Sequence, residues 1–102
     1  MIFFKADANA TIGGGHLNRA LRLASLCIDE CIEVEFIFSN SENSAIKKVT
    51  EQGYNWHHID IKNQFSPSFY LDFTPKGSLI VFDTDDPGFY SGELIKSLGL
   101  NN

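Results

Sequence analysis

Ile2-Phe3-Phe4-Lys5-Ala6-Asp7, followed by Ile12-Gly13-Gly14-Gly15-His16-Leu17-Asn18-Arg19-Ala20-Leu21-Arg22-Leu23-Ala24, sets the architecture of this chain. Residues 2–5 are a β-branched and aromatic run bounded by Ala6, Asp7, Ala8 and Asn9, the signature of a buried strand. Three glycines then lead into residues 16–27, where the period changes to helical. Leu17, Ala20, Leu21, Ala24 and Ile28 form the apolar stripe, and Asn18, Arg22, Ser25 and Asp29 the polar one. A strand, a glycine loop and a helix in this order open an α/β sheet.

Further along, Val34, Phe36 and Phe38 alternate with Glu33, Glu35 and Ile37, which predicts a second strand over 32–38. Ser39 stands three residues before Glu42, a helix-start signal, and a short helix to Gln52 follows with Ala45, Ile46 and Val49 inward. Gly53 occupies its C′ position. Residues 54–61 read as a third strand, and 63–77, with Pro67 and Pro75, as loop or one broken turn. Leu79-Ile80-Val81-Phe82 reads as a fully buried parallel strand. Asp86-Pro87 then starts a last helix to about residue 98, with Tyr90, Leu94, Ile95 and Leu98 on its inner face. Right-handed crossovers turn this sequence of elements into a Rossmann-like, doubly wound parallel sheet of order 3-2-1-4. Ligands of such sheets bind beyond the strand C-termini where the order reverses, here between strands one and four. The loops at that point are 7–16 and 83–86.

The chain has 102 residues and thirteen aromatics, enough for one packed domain and too much apolar bulk for disorder. Eight basic against thirteen acidic residues give a net charge of −5, which disfavours nucleic acid and anionic membrane surfaces. No apolar run approaches the roughly 18 residues of a membrane span, and the first residues lack a signal-peptide pattern. A cytoplasmic location is expected. Cys27 and Cys31 lie one helical turn apart with no second pair for a disulfide framework, and are expected as reduced, buried thiols. His57 and His58, adjacent on a strand, point to opposite faces and do not complete a zinc set. No metal or other cofactor is expected.

Glycines ahead of a helix let backbone N–H groups approach a phosphate or a sugar, and the helix N-terminus favours the anion. Gly13-Gly14-Gly15 is not a Walker A loop, since no Lys-Ser or Lys-Thr follows. Nor is it a dinucleotide fingerprint, because Asn18 stands where the last glycine would be and Ser39-Asn40 where an acidic residue would end strand two. His16, directly after the glycines, is a candidate base, or else packs at the helix start. Asp7 is placed either to orient the imidazole or a substrate hydroxyl, or to form an Asx-turn. Arg19 is placed to reach a phosphate or to pair with Asp7 or Asp83. Of the acidic loop Asp83, Asp85 and Asp86, Asp86 is the expected N-cap and Asp85 a solvated turn residue. An acidic loop of this kind has the chemistry for Mg²⁺ or for sugar hydroxyls, and Asp83, which ends the strand, is the expected site residue, as a substrate-binding group.

Lys5-Ala6-Asp7 with Ile12-Gly13-Gly14-Gly15-His16-Leu17-Asn18-Arg19-Ala20-Leu21-Arg22-Leu23-Ala24 resembles the N-terminal signature of the PseG/SpsG-like nucleotide-sugar hydrolases of pseudaminic acid biosynthesis. Gly13, Gly15, His16, Arg19, Leu21, Leu23 and Ala24 match in register. Gly53-Tyr54, and Leu79 to Asp83 followed by Tyr90 and Leu94, fit the same domain. Lys5 departs from the usual Arg, which keeps the charge but loses the bidentate fork.

The resemblance implies the N-terminal half of a GT-B-like two-domain enzyme that cleaves a UDP-linked amino sugar by water attack at the anomeric carbon. His16 would assist the water, the amides of Gly13, Gly14 and Gly15 would lie against the substrate, and Asp7 would shape the site. A second domain, or a second copy of the chain, would supply the other wall of the cleft, and 102 residues alone would turn over little. The alternatives are the acceptor-side domain of a GT-B glycosyltransferase, with a sugar hydroxyl in place of water, and a non-catalytic sugar-binding module.

Overall fold

A computed structural model describes residues 1–83 of the chain. Four parallel strands, β1 (Ile2–Lys5), β2 (Val34–Phe38), β3 (Asn55–His58) and β4 (Leu79–Phe82), form one sheet in the order β3-β2-β1-β4. This is the α/β, Rossmann-like arrangement expected. The central strand β1 pairs Ile2 with Val34 on one side and with Leu79 on the other. The C-terminal ends of β1 and β4 therefore come level, Lys5 beside Phe82.

Two helices cover one face, α1 (Gly15–Asp29) and α2 (Asn43–Glu51). Leu17, Ala20, Leu21 and Ala24 of α1, with Ala45 and Val49 of α2, pack on Phe4, Val34, Phe36 and Phe38. Small residues at 20 and 24 let α1 lie close to the strands. The other face carries Phe3 and Ile37, closed by Ile59 and by Tyr70 from the short helix α3 (Pro67–Leu71). With a 3-10 turn at Ile61–Asn63, α3 orders part of a segment whose sequence predicts only loop or one broken turn.

Several boundaries differ from expectation for identifiable reasons. α1 ends in a Schellman motif: the Ile32 amide donates to the Cys27 carbonyl and the Cys31 amide to that of Ile28. This closure takes Ile32 out of the sheet, so β2 starts at Val34. Cys27 rather than Ile28 completes the inner stripe, because Ile28, on the last turn, reaches the open lower end of the sheet beside Met1 and Tyr54. Cys31 is exposed, contrary to the expectation of two buried thiols. β3 is a four-residue edge strand, shorter than predicted. β4 is parallel as expected but not fully buried, since Leu79 is 56% exposed and the other three residues are half-buried. The Ser39–Glu42 signal does not cap α2: Glu42 itself is the N-cap residue and makes no side-chain cap. The predicted last helix, with Asp85 and Asp86, lies outside the described residues.

Candidate functional site

The loop between β1 and α1 is built around Asn9. Its side-chain carbonyl accepts from the amides of Thr11 (2.9 Å) and Ile12 (2.8 Å), an Asx-type closure. Its own carbonyl accepts from the Gly13 amide at 2.7 Å, and its side-chain amide donates to the Asn40 carbonyl. Gly13 sits at φ +80°, in the left-handed region that favours glycine. Neither Gly14 nor Gly15 has a positive φ, and a Cβ at Gly15 would meet nothing within 4 Å. Gly14 is the N-cap of α1, without a side-chain cap. The amides of Gly14 and Gly15 meet no acceptor among the described residues, whereas the Gly13 amide already donates to Asn9. The glycine run therefore divides: Gly13 makes the turn, and Gly14 and Gly15 bare the helix N-terminus.

Asp7 is 9% exposed and fully engaged inside the protein. It pairs with the buried Lys5 ammonium and accepts from the amides of Ser39 (2.9 Å) and Asn40 (3.0 Å) and from the Ser41 hydroxyl (2.7 Å). Burial alone would raise its carboxyl, but the Lys5 charge and these hydrogen bonds outweigh it and hold the group below the usual carboxylate range. Asp7 thus staples the end of β1 to the β2–α2 loop. Ser41 serves that staple and in turn accepts from the Ala8 amide, so its hydroxyl does not cap α2.

The imidazole-orienting partner is Asp83, brought from 67 residues away by the pairing of β1 with β4. His16 Nδ1 lies 2.8 Å from Asp83 Oδ1, and both side chains are largely buried. Arg19, one turn further along α1, forks onto the same carboxylate, Nε to Oδ2 at 2.7 Å and Nη2 to Oδ1 at 2.5 Å. The Arg19 hydrogen bonds, opposed by burial and aided by His16, hold the Asp83 carboxyl below its ordinary value. A carboxylate only accepts, so the close Nδ1 contact requires the imidazole proton on Nδ1. Arg19 Nη2, 3.2 Å from the same nitrogen, then meets a donor and makes no hydrogen bond there. The neutral ring carries its basic lone pair on Nε2.

Of the partners expected for Arg19 the structure gives Asp83, and His16, Arg19 and Asp83 thus form one cluster at the switch point, with the glycine loop at its edge. Asp7 belongs to the scaffold beneath. A groove of about 560 Å³ runs from Asn9, Gly13 and Gly14 to Glu42, Ser44 and Lys48 on α2. Lys48 donates to Asn18 across it at 2.5 Å. Sequence reading missed Asn9 and Lys48; an Asn just upstream of a glycine run was the available signal for the first, and nothing local marked the second. Outside this region, His57 Nε2 meets Glu35 Oε1 at 2.5 Å and its ring stacks on Phe73. No helix of the described residues is long and apolar enough to cross a membrane.

Comparison of the chain with protein-family models, with curated proteins and with solved structures gives no match.

Proposed function

We propose that this chain is the acceptor-side half of a nucleotide-sugar hydrolase, with UDP-linked amino sugars as the substrate class and His16 as general base. The observation that supports this reading best is the 2.8 Å contact of His16 Nδ1 with Asp83, which puts the lone pair of the neutral ring on Nε2, the atom a general base would use. In the reaction, Nε2 takes a proton from water as its oxygen bonds to the anomeric carbon. The bond from that carbon to the phosphate oxygen breaks, and its electron pair leaves with UDP. Asp83 stabilises the imidazolium that forms, as a carboxylate does for a base histidine. The amides of Gly14 and Gly15, at the positive end of α1, suit the sugar or its phosphate. A second domain or a second copy of the chain would supply the facing wall and exclude water. The cytoplasm, where nucleotide sugars are made, is the matching location.

The test is a titration of UDP and UDP-N-acetylglucosamine into isotope-labelled protein, following the amides of Gly13, Gly14, Gly15 and His16. Saturable shifts centred on Gly14 and Gly15, lost in His16→Ala, are expected. No shift at millimolar ligand would remove the site from this half of the enzyme. A glycosyltransferase with the same base is separated by product: UDP release by the two-walled enzyme without any added acceptor is expected for the hydrolase.

A further inference from the structure

One oxygen of Asp83 is shared by two groups that can both be cationic. Oδ1 receives Arg19 Nη2 at 2.5 Å and His16 Nδ1 at 2.8 Å, and Arg19 also occupies Oδ2 through Nε. While Arg19 is clamped there, the carboxylate is already neutralised, and an imidazolium at His16 would face a guanidinium 3.2 Å away. The clamp is lopsided in burial: Asp83 is 13% exposed and the Arg19 side chain 57%. Ion pairs with so exposed a partner hold weakly against a competing anion. Arg19 also stands on the first turns of α1, beside the bare helix N-terminus. A guanidinium there has the planar fork that phosphates select.

We infer that Arg19 is a ligand-displaced restraint on the base: a phosphate-bearing ligand draws its guanidinium off Asp83 and leaves the carboxylate to His16 alone. This rests on the reading of His16 as the base and adds its regulation. Water abstraction is then favoured when the phosphate is in place, because Asp83 Oδ1 is no longer shared between the imidazolium and a second cation. Among the described residues, the charged groups that meet the His16 ring are Arg19 from α1 and Asp83 beyond β4. Arg19 is a positioning residue here, acting on His16 through Asp83.

The experiment follows the His16 imidazole by NMR across pH at constant ionic strength, with His57 and His58 as internal references. Arg19→Ala is expected to raise the His16 midpoint by about one pH unit, the scale of removing one cation at this distance. Saturating inorganic pyrophosphate is expected to raise the wild-type midpoint similarly, and to leave it unmoved in Arg19→Ala and in Asp83→Asn. An unchanged midpoint in Arg19→Ala overturns the inference. So does a pyrophosphate effect that persists in Asp83→Asn, which would mean direct action on the ring, and so does a wild-type midpoint that pyrophosphate does not move. The two readings fail separately. Glycine-loop shifts with UDP-sugar but a fixed His16 midpoint would sink the restraint alone, and a responsive midpoint without any UDP-sugar binding would sink the hydrolase alone.

Discussion

Cys31 is the one residue other than glycine with a positive φ among the described residues, at +61°. It holds the C′ position of the Schellman motif that ends α1. The same position after α2 is Gly53, at +88°, where the Tyr54 amide donates to the Val49 carbonyl and the Gly53 amide to that of Thr50. The two helices end alike, but one uses a residue whose Cβ crowds the following carbonyl, at a cost of about 1–2 kcal/mol. Cys31→Gly relieves that crowding and adds disorder to the unfolded chain, so a net gain of about 0.5–1 kcal/mol is expected in urea unfolding. A loss of stability would show that the thiol makes a contact worth more than the strain. The sequence holds Gly53 in plain view as a helix stop, but a cysteine at the equivalent place carries no such signal. That is why the start of β2 is misplaced when read from residues alone.

At the scale of the element, the β1–α1 loop separates conformational from spatial demands on glycine. Gly13→Ala is expected to lower stability by about 1 kcal/mol or more, because a side chain at its φ of +80° is strained. Gly15→Ala is expected to leave thermal unfolding unchanged or slightly raised, since its Cβ would enter open space at the head of a helix. If that space receives the sugar or phosphate, the same substitution weakens UDP-sugar binding while the fold stands. Equal affinity in Gly15→Ala and wild type would make the open space incidental. The loop, its glycines and His16 are legible in sequence because turn chemistry is local. What Asp7 does is not, because its partners at 39, 40 and 41 lie on another strand-to-helix connection. A carboxylate at a strand end reads the same whether it faces a ligand or a neighbouring loop.

Over the whole molecule, the order of the sheet follows from where apolar runs stand and from the handedness of crossovers, so it can be read before any contact is known. Edge effects cannot: Leu79-Ile80-Val81-Phe82 looks like a strand covered on both sides, yet its burial depends on neighbours that periodicity does not specify. Stability should show a marked dependence on acid. The Asp7 carboxyl lies below its unfolded value of about 3.9, so its contribution is complete above that pH and fades as pH falls through the folded value. Asp7→Asn leaves the Lys5 ammonium buried without its counter-charge and is expected to cost about 3–5 kcal/mol at pH 7. The difference from wild type should shrink near pH 3, and an equal loss at both pH values in urea titrations would rule out the ion pair as its source. The pairing of β1 with β4 has a temporal consequence. Residues 1–30 of a growing chain already hold the glycine loop, His16 and Arg19, but the carboxylate that sets the imidazole tautomer arrives 67 residues after His16. Only docking of the fourth strand delivers it, so a nascent or frayed chain carries an unaligned histidine, and completion of the sheet arms the site.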